Sequence, residues 1–91
     1  MEPNQTEIHL HLQAIDRTRN IARDYHLTAS SDLFGWTIVE RRWGRIGAKA
    51  KSTRTSFECE QDAAEFVTAI RRRRASAGRR IGVSYRPVAS H

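Results

Sequence analysis

The segment Glu60-Gln61-Asp62-Ala63-Ala64-Glu65-Phe66-Val67-Thr68-Ala69-Ile70-Arg71-Arg72-Arg73-Arg74 decides the architecture, because it is where the hydrophobic period of the chain changes. Ala63, Phe66, Val67 and Ile70 stand at i, i+3, i+4 and i+7, the stripe of an amphipathic helix. Glu58, Glu60 and Asp62 gather near its start and Arg71–Arg74 near its end, which complements the helix dipole. With Gly78 as a C-terminal stop, the pattern predicts a helix over 60–77.

Upstream of that helix the period is two. Ile8, Leu10 and Leu12 alternate with His9, His11 and Gln13, and Tyr25, Leu27 and Ala29 alternate with Asp24, His26 and Thr28. The polar stretch Asp16–Asn20 lies between them, so the two segments are expected to pair as a hairpin. Ser30–Gly35 carries turn chemistry, and a third strand follows from Trp36 to Trp43. It holds apolar residues on both sides, Trp36 and Ile38 against Val39 and Trp43, as an internal strand does. Gly44 and Gly47 bracket the next turn, and Lys51–Phe57 reads as a fourth strand. Downstream, Ile81–Val88 could add a short strand or lie along the sheet, and Pro87 restricts it to an edge. The expectation is an α+β fold, a four-stranded antiparallel β-sheet packed against one C-terminal amphipathic α-helix. Residues 1–6 are expected to be a disordered tail and residues 7–88 a single domain.

At 91 residues the chain supports one modest core and no interdomain cleft. Charge is distributed unevenly. Residues 1–40 carry three basic and six acidic groups, whereas residues 41–91 carry thirteen basic and four acidic groups, within a formal net charge of +6. Most of the cations are arginines, whose planar fork of donors suits phosphate, so a polyanionic partner is the first expectation. Arg41, Arg42, Arg45, Lys49, Lys51 and Arg54 stand on or beside one strand–turn–strand unit. Residues 49, 51 and 53 are expected on one side of a strand, so that Lys49 and Lys51 could follow a phosphate backbone. Residues 71–74 fan around a helix axis, and Arg73 and Arg74 are expected to snorkel over the core edge.

The order of motifs is specific. Asn20 in a turn, Tyr25 on a strand, Trp36, then Trp43-Gly44-Arg45-Ile46-Gly47, Phe57 and the helix together resemble the WGR domain family over roughly residues 7–86. Leu33-Phe34-Gly35 looks like the stand-alone bacterial subgroup. The family occurs in DNA-dependent poly(ADP-ribose) polymerases, where the domain binds DNA near a strand break. There the motif Trp packs on sugar–phosphate at a DNA end and the motif Arg relays binding to neighbouring domains. The resemblance carries those roles to Trp43 and Arg45, and terminal-nucleotide contacts to Asn20 and Tyr85. The chain departs from the family pattern at Asp24, where an aromatic residue is usual, at Ala50, where a Gly is common, and in the lengthened Gly82-Val83-Ser84-Tyr85.

The function read from the sequence is therefore non-enzymatic, sequence-independent DNA binding through backbone contacts, with ends or nicks as favoured targets. The candidate contacts are Trp43, Arg45, Lys49, Lys51, Arg54, Arg42, Asn20 and Tyr85. For Trp43 and Arg45 a structural reading stays open beside this one, a core plug and a carboxylate-paired Arg. The alternative function is a protein-interaction module that docks an acidic partner on its basic strand face. No Gly-rich phosphate loop, nucleophile elbow or helix-spaced acid pair supports catalysis. No cofactor is expected. His9, His11 and His26 share a sheet side but show no fourth ligand and read as solvent-facing, so no metal is expected either. The single Cys59 excludes an intrachain disulfide, and with a polar, acidic N-terminus no signal peptide is expected. A cytoplasmic, nucleoid-associated location is the corresponding expectation, with monomer and homodimer both open.

Overall fold

The alternating segment near the N-terminus forms strand β1, Ile8–Asp16. A computed structural model describes residues 7–88, and the tail expected over residues 1–6 lies outside the described residues. A single 3-10 turn, Arg17–Arg19, leads into β2, Ile21–Ser31. The two strands pair antiparallel, with Leu12 opposite Tyr25, which is the hairpin the sequence predicts. Strand β3, Thr37–Arg45, pairs with β2, and β4, Lys51–Phe57, pairs with β3. Trp36 falls just ahead of β3. Helix α1, Glu60–Ala75, and a short α2, Ala77–Ile81, follow.

The α+β class is as expected, but the strand count rises from four to five. Strand β5, Arg86–Pro87, returns to β1 with Pro87 opposite Leu12, and the sheet order is β4-β3-β2-β1-β5. Two residues are too few to show a period, so only Pro87 pointed to this edge. Proline is tolerated there because no further strand needs its missing N–H.

The helix also ends earlier than Gly78. Ser76 terminates α1, its hydroxyl donating to the Arg73 carbonyl at 2.9 Å, and Gly78 sits inside α2. A Cβ at Gly78 would lie 2.7 Å from Ser84 Oγ, so this glycine lets the returning tail approach closely. The left-handed stop belongs to Gly82 instead, at φ 83°.

Strand alternation sorts the sheet into two unlike faces. Leu12, Tyr25, Leu27, Ala29 and Val39 are buried on one face, beneath Ala63, Val67 and Ile70 of α1. Phe57 and Phe66 close one side of this core with ring centroids 5.1 Å apart. Burial of each large side chain contributes about 1.5–3 kcal/mol. The opposite face, with His9, His11, Asp24, His26, Arg42 and Arg54, carries no helix among the described residues.

Candidate nucleic-acid interface

The β1–β2 turn is built by its own side chains. Asp16 Oδ1 accepts from the Thr18 amide at 3.1 Å and the Thr18 hydroxyl at 2.7 Å, and Arg19 Nε donates to Oδ2 at 2.9 Å. These hydrogen bonds from Thr18 and Arg19 hold the Asp16 carboxyl below its ordinary range. Asn20 then takes the left-handed conformation, φ 56°, which Asn tolerates better than most residues. In that position it faces the end of β3. Arg45 Nη1 donates to the Asn20 carbonyl at 3.1 Å and Nη2 to Asn20 Oδ1 at 2.7 Å. The two candidate residues, 25 positions apart, are thus one hydrogen-bonded unit.

Beside it runs a series of stacked rings and guanidiniums. Trp43 is half-buried, 6.5 Å from the buried Tyr25 ring, which meets Tyr85 edge-on at 6.4 Å. Arg41 lies between Trp43 and Phe66, at 5.5 and 5.4 Å from their centroids. Arg74 stands 4.4 Å over Tyr25 and 5.6 Å from Tyr85. Part of the Trp43 indole packs on the core and part remains accessible.

Asn20, Trp43, Arg45 and Tyr85 line one groove of about 410 Å³, together with Arg23, Arg74 and Arg80. Arg23 and Arg45 are direct cross-strand partners. Like charges in that position repel unless an anion lies between them or beside them. Arg80 Nη2 reaches the Arg73 carbonyl at 2.7 Å, and desolvation followed by the fields of Arg73 and Arg74 lowers its pKa. Among the described residues, none of Arg23, Arg45, Arg74 and Arg80 forms an ion pair with a carboxylate. The carboxylate reading for Arg45 is thereby replaced by its bond to Asn20.

The other candidates lie elsewhere. Lys51 is exposed opposite Trp43 on the same sheet face and extends the basic surface. Strand β4 starts at Lys51, so Lys49 belongs to the preceding turn and shares no strand side with it. Arg42 and Arg54 project from the opposite face, where Arg54 Nη1 lies 3.8 Å from Glu40 Oε2. The strand–turn–strand cluster of cations is therefore divided between two faces. Arg23, Arg74 and Arg80 were not singled out as contacts, since they come from three separate elements. The snorkelling expected of Arg74 was the one sequence signal for any of them.

Asp24, the departure that would set a negative charge beside a phosphate, has its carboxylate engaged on the open face by His11 and Gln13, at 2.6 and 3.2 Å. Asp24 also lines the groove, yet it forms no ion pair with the groove arginines among the described residues.

A family model described as WGR domain matches residues 8–78. An uncharacterised protein, y4dW, of Sinorhizobium fredii (strain NBRC 101917 / NGR234) is 36% identical over 66 residues, covering 71% of this chain. The chain spans only 32% of that relative's length. No solved structure matches. Neither description names a catalytic activity, and among the described residues no helix is long and apolar enough to cross a membrane.

Proposed function

The chain belongs to the WGR domain family, and on that premise we propose that it binds DNA without regard to sequence, with strand ends or nicks as favoured targets. One observation carries this reading. Four arginines without carboxylate partners among the described residues surround a half-exposed Trp and a Tyr in a single groove. Phosphate is the ligand that satisfies such a set, because each guanidinium offers a fork of donors to its oxygens. Arg45 is held in place by Asn20 before any ligand arrives, which reduces the entropy lost on binding.

The aromatic residues supply the preference for ends. In an intact duplex the base and sugar faces are covered by their neighbours. A terminus or nick exposes them, and Trp43 and Tyr85 offer apolar surface beside the cations for stacking. Sequence is not read, since phosphate contacts position a duplex but do not distinguish bases.

Fluorescence polarisation with intact, nicked and blunt 5′-phosphorylated duplexes tests the proposal. If Arg23, Arg45, Lys51, Arg74 and Arg80 each neutralise a phosphate, log affinity falls against log salt with a slope of about −4 to −5. A slope near zero defeats the proposal. A separate observation favours the reading as a protein-docking module. Leu33 and Phe34 are 98% and 85% exposed at the β2–β3 tip, where Asp32 Oδ1 accepts from the Phe34 and Trp36 amides. That reading requires a stable stoichiometric protein complex and equal, weak binding to all three duplexes.

A further inference from the structure

We propose that His11, Asp24 and His26 form a binding site for a divalent metal ion of the zinc class on the open face of the sheet. The site shares Asp24 with the lining of the DNA groove, while His11 and His26 stand outside it. It follows from register: 24 and 26 share one side of β2, His11 stands directly across from His26 and Gln13 directly across from Asp24. Four polar side chains thereby make a two-by-two plaque on neighbouring strands. Their ligand atoms are already close, those of His11, Asp24 and His26 lying within 4.8 Å of one another.

The donor set is that of a zinc-type site, two imidazoles and one carboxylate, with the remaining positions left to water or to the Gln13 amide oxygen. His11 Nε2 lies 2.6 Å from Asp24 Oδ1, and His26 Nε2 lies 3.3 Å from Asp24 Oδ2. Both imidazoles therefore aim the same nitrogen at the carboxylate, with the rings stacked at 3.8 Å. Ligand atoms about 2.0–2.2 Å from one zinc ion stand roughly 3.3 Å from each other, and because imidazole lone pairs lie in the ring planes, the stacked rings must tilt well out of parallel to close on it. All three side chains are about one-quarter exposed, which leaves an approach from solvent.

The Arg42 side chain, across from His26 on β3, opposes a second cation and weakens its binding.

Isothermal titration of the full chain with Zn²⁺ provides the test, with Co²⁺ as an optical stand-in. One ion is expected per chain, bound at least tenfold more weakly by His11→Ala, His26→Ala and Asp24→Asn. His9→Ala, His91→Ala and Cys59→Ser are expected to bind like wild type. Absence of binding by the wild-type chain overturns the proposal, as does a loss in the three control variants equal to that in the plaque variants. If a plaque variant fails to fold, the wild-type Co²⁺ spectrum decides. Visible d–d bands alone support imidazole and carboxylate ligands, and a thiolate charge-transfer band overturns them by assigning the ion to Cys59.

Discussion

Neighbouring residues along β2 and β3 serve two faces that differ in how their charges are paired, Arg42 excepted, which has no ion pair among the described residues although it lies on the open face. On the open face, Asp24 bridges His11 and His26, and Glu40 stands by Arg54. On the covered face, beyond the edge of the core, Arg23 and Arg45 stand side by side, and Arg74 and Arg80 join them with no carboxylate partner among the described residues. A cation with its partner supplied by the chain gains little from an external anion. One left without a partner retains its full attraction for phosphate. The proposed DNA contacts rest on this contrast and not on the number of cations in any stretch of sequence.

The largest effect that separates the faces is in stability. Leu27 is fully buried beneath α1 and its neighbour Thr28 lies on the open face. Leu27→Ala is expected to cost about 2–5 kcal/mol in denaturant unfolding, against less than about 0.5 kcal/mol for Thr28→Ala. Equal costs would mean that the open face is covered in solution.

Charge removal comes next. Arg45→Ala, Arg23→Ala and Arg74→Met are each expected to weaken DNA binding roughly tenfold, about 1.4 kcal/mol, and to reduce the salt slope by about one unit. Arg74→Met retains the aliphatic cover over Tyr25 and so separates charge from packing, with a stability cost of about 0.5–1 kcal/mol from the lost cation–π contact. Arg54→Ala, on the open face and paired with Glu40, is expected to alter affinity less than twofold and stability by less than about 0.5 kcal/mol. An Arg54 effect as large as that of Arg45 would move the binding surface to the other face.

Much of this division was legible in the residues. Period two in β1 and β2 and the stripe Ala63-Phe66-Val67-Ile70 gave the class, the hairpin and the core, because burial acts on every second or every third to fourth side chain. The family motif brought Asn20, Trp43, Arg45 and Tyr85 onto one candidate surface, and these four do line one groove. Proximity in sequence failed for Arg42 and Arg54, because adjacent strand residues point to opposite faces. Arg23, Arg74 and Arg80 were hidden for the complementary reason, since β2, α1 and α2 meet only after the helix docks and the chain turns back. The pairing of Asp24 with His11 needed the β1–β2 register, which the alternation pattern alone leaves open by steps of two residues.

The smallest expected effect tests whether the turn under the groove is independent of the open face. Asp16 is tied to Thr18 and Arg19, and both bonds favour its ionised form, so its folded pKa lies below the unfolded value of about 3.9. The sign follows from linkage: its contribution to the turn is complete above the unfolded pKa and is lost as pH falls through the lower folded value. The Thr18 and Asn20 amide resonances should accordingly stay unchanged from neutral pH down to about 4 and shift together below it. Asp16→Asn should remove that shared step and loosen the Asn20–Arg45 bonds, with a modest loss of DNA affinity at neutral pH. If instead the Asn20 amide shifts at a higher pH than the Thr18 amide, a group other than Asp16 governs the turn and its independence of the open face is lost.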